Sequence, residues 1–491
     1  MAERKPTSGD ATTRAFALRI EPFRESPHMR IIMAATPALG HVIPMLGIAR
    51  ILLSEGHEVV ASTASAYQDR VKSVGAEFWP LPESADHDAQ AKLPELKTLP
   101  PGFEWLRAAM CGLINEIPAQ YMGLQQMLQE APADIVIADD QFFGVLPMLL
   151  GARSARPPVV LFGTTILHWH REDGAPNFLG LHPAISQAQH EEYAAITREY
   201  DNIVRYPVTR YLDRCLEGVG AGPLSKPLLE SVVELTDAYM QLSVPSFEFT
   251  HAVPPSVQFV GALPIIPNQA PLPPWADDLD GRRKVILVTQ GTLANHDFNL
   301  LITPTLAALA DEPDLLVVVT TGGRPIEVIP RPIPANARLA SYLPFEWILS
   351  KADVFVTNGG YGSVNQAMSF GIPLVAAGLT EDKADVNARV AWSGVGVNLA
   401  TNTPTPVALR NAIRAVLDDA QSYRQHASLI AKEFAAIDTR AEVLRVVGQV
   451  AQRLEGVHTH QSRELSLSSW PYFGVNDSIY LDNTQEYKIR S

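Results

Sequence analysis

The stretch 29–62, MRIIMAATPALGHVIPMLGIARILLSEGHEVVAS, contains one complete strand, loop, helix and strand. Residues 29–35 form a short apolar run of the kind that makes a buried strand. It breaks at Thr36-Pro-Ala-Leu-Gly-His41, where proline and glycine mark a loop. Pro44 then opens an apolar-periodic segment (Met45, Leu46, Ile48, Ala49, Leu52, Leu53). The segment stops at Glu55-Gly56, because glycine readily takes the left-handed conformation that ends a helix. Residues 57–62 return as a second strand. Outward from this unit the alternation continues, with a helix around 67–74, strands at 76–80 and 134–139, a helix beside 142–150 and a strand at 158–163. Strands alternating with helices predict a parallel, doubly wound α/β sheet.

At 262–280 the chain becomes rich in proline and aspartate (ALPIIPNQAPLPPWADDLD), a composition suited to an extended connection. The alternation restarts beyond it. Strands are expected at 284–289, 315–320, 337–340, 354–357 and 374–377, with helices at 299–310, 363–370, 384–392 and beyond Pro406. The reading is therefore two Rossmann-like domains: a polar leader at 1–28, an amino-terminal domain at 29–262, a linker at 263–283, a carboxy-terminal domain at 284–455 that ends in a long polar helix, and an irregular tail at 456–491.

With 491 residues, 46% hydrophobic and 19% charged, the chain has the size and composition of a globular protein with more than one domain. A formal net charge of −14 argues against a protein held to nucleic acid through phosphate contacts, which need dense Lys and Arg. Two cysteines, Cys111 and Cys215, support neither a disulfide framework nor a four-ligand zinc site, and they suit a reducing compartment. The leader lacks an apolar export core, and no apolar stretch approaches the roughly 18 residues of a membrane span. A cytoplasmic protein is expected, with peripheral membrane contact left open.

In open parallel sheets, ligands bind beyond the carboxyl ends of the strands. Four such loops carry chemistry here. His41 lies between a glycine loop and a helix start, where an imidazole suits general-base work. Asp139 and Asp140 end a buried strand; either can orient the histidine, and one of them is expected to cap the following helix. Gly291-Thr292 follows a buried strand with residues small enough to let backbone approach an anion. Asn358-Gly359-Gly360-Tyr361-Gly362-Ser363 joins a strand to a helix, placing amides and a hydroxyl where a diphosphate can be held.

The stretch 341–387, SYLPFEWILSKADVFVTNGGYGSVNQAMSFGIPLVAAGLTEDKADVN, resembles the donor-binding signature of inverting nucleotide-diphosphate-sugar glycosyltransferases of the two-Rossmann-domain (GT-B) kind. Gly40-His41-Val-Ile-Pro44 independently resembles that family's loop carrying the base. Within the family, the wording is most similar to microbial enzymes that glucosylate lipids and phenolics. The resemblance implies that His41 is the base and Asp139 its partner. It implies donor contacts from Gly291, Thr292, Asn358, Gly360, Tyr361, Gly362, Ser363, Gln366, Asp382 and Lys383. A UDP-sugar is the implied cosubstrate, with no metal and no further cofactor. Three positions depart from the family pattern: Asn358 stands where a histidine faces the phosphates, Gln366 where a glutamate grips the ribose, and Lys383 where a glutamine helps hold the sugar.

The acceptor is expected in the amino-terminal half, where Phe103, Trp105, Met110, Thr164 and Trp169 favour a small lipophilic alcohol or phenol. His168 and His170, with Glu172 and Asp173, match no zinc-ligand spacing and read as pocket wall. Two alternatives remain: a nucleotide-sugar epimerase of the same fold, and a donor-binding protein without catalysis.

Overall fold

The computed structural model describes residues 28–87, 96, 99–100, 102–249, 252–264, 271–291, 295–418 and 420–461. Seven strands make the first sheet: β1 (Arg30–Ala34), β2 (Glu58–Thr63), β3 (Glu77–Pro80), β4 (Ile135–Asp139), β5 (Val159–Gly163), β6 (Ala238–Gln241) and β7 (Val257–Phe259). Their spatial order is β3-β2-β1-β4-β5-β6-β7, parallel throughout. Helices α1 (Leu39–Ser54), α2 (Gln68–Ser73), α3 (Phe103–Asn115), α4 (Ile117–Glu130), α5 (Leu146–Leu150), α6 (Gln187–Tyr200), α7 (Tyr206–Gly218) and α8 (Leu228–Leu235) accompany it.

The second sheet contains β8 (Lys284–Thr289), β9 (Leu315–Thr320), β10 (Ala337–Ala340), β11 (Val354–Thr357), β12 (Leu374–Ala376) and β13 (Gly396–Asn398). Its order is β10-β9-β8-β11-β12-β13, again parallel. With it run α9 (Ile302–Ala308), α10 (Phe345–Leu349), α11 (Tyr361–Ser369), α12 (Lys383–Trp392), α13 (Pro406–Asp418), α14 (Ala420–Ala435) and α15 (Thr439–Gln461). Central strands such as Leu-Leu-Val-Val-Val-Thr at β9 are buried at every position, as expected for a sheet covered on both faces. In each sheet the order of strand addition reverses beside the first strand, between β1 and β4 and between β8 and β11. These are the switch points where a crevice opens at the carboxyl ends.

Three expectations need correction. Helix α1 begins at Leu39, not at Pro44, so His41 lies within its first turn. The extended residue Ala38 accepts from the amides of His41 and Val42, which starts the helix early. Proline at the sixth helical position then forfeits one bond, to the exposed carbonyl of Gly40. Helix α15 does not belong with the second core: Val443, Val446, Val447 and Val450 pack with α1 residues beneath the first sheet. Arg440 also pairs with Glu55, and Thr439 Oγ1 donates to the Ala262 carbonyl at 2.9 Å. Helices α3, α4 and α6 to α8 and strands β6 and β7 fill parts of the first half that the sequence pattern left unassigned. Cys111 and Cys215 are free thiols. Among the described residues, no helix is long and apolar enough to cross a membrane.

Candidate active site

Asp139 is the last residue of β4 and is fully buried, so each of its oxygens must find a donor. Oδ2 accepts from the Thr36 amide at 2.5 Å. Oδ1 accepts from Thr36 Oγ1 at 2.9 Å, from the Gln141 amide at 3.0 Å and from His41 Nδ1 at 2.9 Å. Because a carboxylate only accepts, His41 carries a proton on Nδ1, and in the neutral imidazole Nε2 keeps a free lone pair. Thr164, just beyond β5, places Oγ1 2.9 Å from the same Nδ1 and donates to Asp140 Oδ1 at 2.9 Å.

Burial by itself lowers the imidazole's proton affinity. The charge and hydrogen bond of Asp139, with Asp140 and Asp382 farther off, outweigh it and raise the pKa of His41 to about 9. Burial pushes the Asp139 carboxyl up, but His41 and the Thr36 and Gln141 amides hold it below the ordinary carboxylate range. Asp140 is pushed up to about 6, chiefly by burial, against the pull of His41 and the bonds from Thr164. Asp140 caps no helix; it receives the Thr164 amide at 3.2 Å as well as the hydroxyl, so its part is to hold the end of β5. Ligand-type atoms of His41, Asp139 and Asp140 lie within 4.8 Å of one another. Each carboxylate oxygen already accepts from a hydrogen-bond donor, Asp140 Oδ2 from the Tyr239 hydroxyl at 3.4 Å.

In the second half, α11 starts directly after the β11 loop. The amides of Tyr361, Gly362 and Ser363 have no intrahelical partner, the first helical bond being Val364 N to Gly360 O at 3.0 Å. Ser363 Oγ donates back to the Gly360 carbonyl at 2.9 Å. Gly359 has φ +96°, and a Cβ there would lie 1.9 Å from Asn387 Oδ1, so this loop requires glycine. Gly360 has ordinary φ and open surroundings. Gln366 is half-buried one turn beyond Ser363, on the same helix face. Gly291 is left-handed at the end of the β8 segment; Thr292 lies outside the described residues.

Three donor-side expectations change with these surroundings. Asn358 uses its amide to donate to the Gln290 carbonyl at 2.8 Å, tying the β11 loop to the β8 loop. Tyr361 turns its ring into the core, and its hydroxyl accepts from Gln241 Nε2 at 2.6 Å. Lys383 is buried and paired with Glu381, a non-glycine residue at φ +58°, so its ammonium braces the loop from within. Asp382 stands at the start of α12 without capping it. Its Oδ2 instead accepts from Thr165 Oγ1 of the first half at 2.6 Å. Burial raises its pKa, opposed by Lys383 and by the Thr165 bond.

On the acceptor side, Met110 and Trp169 are core residues, and Trp169 Nε1 donates to the Ala252 carbonyl at 3.0 Å. Phe103 and Trp105 are half-buried against the same core, with Phe103 edge-on to Tyr200. The apolar stripe of α3 that suggested a pocket is largely consumed by packing. Thr164 is engaged with His41 and Asp140. His168 is buried and stacked on Phe178, His170 is exposed, and Asp173 is held by Arg171, so these groups do not converge. Residues that the motifs did not single out are Thr36, Thr165, Gln241 and Asn387, whose partners lie far off in sequence. Tyr342 is half-exposed beyond β10, and its ring fills the space beside Gly323.

Residues 305–450 match the family model described as "Erythromycin biosynthesis protein CIII-like, C-terminal domain". Over 429 residues the chain is 36% identical to 4'-demethylrebeccamycin synthase of Lentzea aerocolonigenes, covering 85% of this chain and 98% of that protein. The chain belongs to the inverting GT-B glycosyltransferases. The glycosyltransferase is also 34% identical over 420 residues to UDP-glucosyltransferase B1 of Starmerella bombicola, covering 82% of this chain and 94% of that protein. Among solved structures it is similar to CalG4, the calicheamicin glycosyltransferase. The TM-score is 0.65 at 21% identity, with 89% of this chain and 100% of that one covered, a likeness of fold. The two parallel sheets, facing a cleft, are thus the GT-B architecture.

Proposed function

We propose that this glycosyltransferase moves a hexose, glucose by preference, from a UDP-sugar to a hydroxyl of a small lipophilic acceptor, giving a β-glycoside. The observation that carries the reading is His41, with Nδ1 held by buried Asp139 and Nε2 left as the free base. Nε2 takes the proton of the acceptor hydroxyl as that oxygen attacks the anomeric carbon, and Asp139 stabilises the imidazolium that forms. The C–O bond to the diphosphate breaks on the opposite face, which inverts the sugar. The departing diphosphate gathers charge, for which the unpaired amides of Tyr361, Gly362 and Ser363 at the head of α11 are suited. Although Tyr361's ring is committed to the core, its backbone amide remains available.

Asp382 retains one carboxylate oxygen beside the Thr165 bond with which to accept from a sugar hydroxyl. Tyr342 offers an exposed ring on which a base can stack. The likeness to a UDP-glucosyltransferase, that of Starmerella bombicola, supports UDP-glucose as the donor. The test incubates the enzyme with UDP-glucose and a panel of phenols and hydroxy-lipids, with mass spectrometry for a hexose adduct. His41→Ala should lower turnover about 10²–10⁴-fold while the UDP-induced rise in Tm persists. Conversion of UDP-glucose to an isomeric sugar with no adduct on any acceptor would point to the epimerase instead.

A further inference from the structure

His41, in the first turn of α1, and Asp382, at the start of α12, belong to different halves of the molecule, yet they are joined through two consecutive residues. Thr164 Oγ1 lies 2.9 Å from His41 Nδ1 and donates to Asp140 Oδ1. Thr165, whose α-carbon follows at about 3.8 Å, donates from Oγ1 to Asp382 Oδ2 at 2.6 Å. The Thr165 carbonyl accepts from Gln241 Nε2 at 2.7 Å, and the same Nε2 donates to the Tyr361 hydroxyl at 2.6 Å, in the first turn of α11. The strand end that presents the pair cannot shift freely. At Gly163, immediately before it, a Cβ would lie 2.4 Å from Gln241 Oε1 and 2.8 Å from the Tyr239 hydroxyl. Thr165 itself is 4% exposed.

We infer that Thr164 and Thr165 are positioning residues that set the separation between the His41 base and the Asp382 sugar site across the cleft. This rests on the proposed role of Asp382. In-line displacement requires the attacking oxygen within roughly 3–3.5 Å of the anomeric carbon, and a displacement of about 1 Å can cost 10²-fold in rate. One group orients the nucleophile from the first half, and the other orients the electrophile from the second. A rigid dipeptide touching both converts the packing of the two halves into that alignment. Other cross-domain bonds, Ser243 to Asn365 and Glu248 to Arg389, join residues that the proposed mechanism does not use.

The experiment measures transfer kinetics with UDP-glucose and an acceptor found active in the panel, together with the rise in Tm given by UDP. Thr165→Val keeps the shape and removes the hydroxyl; kcat should fall about 10- to 100-fold with the UDP shift unchanged, and Thr165→Ser should restore most of it. Thr165→Ala substitutes for the valine variant if that one folds poorly. In an Asp382→Ala background Thr165→Val should cost nearly nothing more, because the pair acts as a unit. Thr164→Val should lower kcat without altering the preference between UDP-glucose and UDP-galactose. Additive losses from Thr165→Val and Asp382→Ala, or an equal loss of UDP binding, would overturn the inference. If Asp382→Ala is harmful while Thr165→Val is silent, the positioning role fails and the sugar site stands. If Asp382→Ala is itself silent, the sugar site fails, and the inference with it.

Discussion

His41 and Asp139 illustrate how two adjacent environments shape one hydrogen-bonded pair. The aspartate is buried without solvent, so its charge persists through four donors, and that charge then lifts the imidazole against the opposing effect of burial. In the proposed mechanism the neutral imidazole is the base, so activity should rise as pH rises through the pKa of His41 and be lost below it. In kcat/KM for the free enzyme the ascending limb should therefore lie near pH 9, well above the ordinary 6.5 of histidine. Asp139→Asn removes the dominant opposing charge and leaves burial in control. Its limb should move to lower pH while the maximum rate drops. A wild-type limb near 6.5, or one unmoved by Asp139→Asn, would count against this electrostatic account. Asp140→Asn should move the limb less, since Asp140 reaches the ring through Thr164. The histidine, both carboxylates and the first threonine could be named from the sequence as strand-end residues. The residue pattern alone left open which carboxylate faces the ring; the family resemblance pointed to Asp139, and the pairing of β4 with β1, Ala138 against Ala34, places it there.

Among the elements, the β11 loop and α11 are the most sensitive to a single carbon. The sequence offers Gly359, Gly360 and Gly362 as similar members of one turn. In the structure Gly359 alone of the three combines a left-handed backbone with a neighbour inside contact distance. Gly359→Ala should therefore abolish the UDP-induced rise in Tm and lower stability by about 1–3 kcal/mol, the range for overpacking. Gly360→Ala should do neither, its nearest outside neighbour being Ser363 Oγ at 3.5 Å. Thermal melts of both variants with and without UDP check the pair, and the opposite ranking would mean that the turn is rebuilt when the donor binds. Helix α3 gives the converse lesson. Its large apolar side chains suggested an acceptor wall from composition, yet Leu106, Met110 and Ile114 pack into the core, with α7 against the same helix. Apolar character predicts burial, and it does not say whether protein or ligand does the covering.

Across the molecule, the halves are fastened by polar contacts that a chain pattern does not reveal. Glu248 and Arg389 are both buried, with Glu248 Oε2 accepting from Arg389 Nε at 2.9 Å and Oε1 from the Leu167 amide at 3.2 Å. Asp385, at the start of α12, accepts from the amides of Phe178 and Gly180 in the first half, at 2.5 and 2.7 Å. Removing one member of the charged pair strands the other in low dielectric. Arg389→Met should therefore cost about 3–5 kcal/mol in urea denaturation, with Glu248→Leu added on top recovering a large part. A loss below about 1 kcal/mol would show that water reaches the pair and that the interface opens readily.

The sequence alone determined the two-sheet architecture, because alternation of buried β-branched runs with apolar-periodic helices admits few other solutions, and most strands of the second half lie where that pattern put them. It also singled out His41, the two candidate carboxylates and the glycine turn, since those depend on residue type next to a strand end. Tertiary structure decided what those residues touch. It bonded Asp140 to Thr164, buried Tyr361 against Gln241 of the first half, paired Lys383 with Glu381, brought Thr165 to Asp382 across 217 positions of chain and returned α15 to the first core. Each of these is a contact between groups distant in sequence, fixed by strand order and helix packing, and a local pattern contains no term for it.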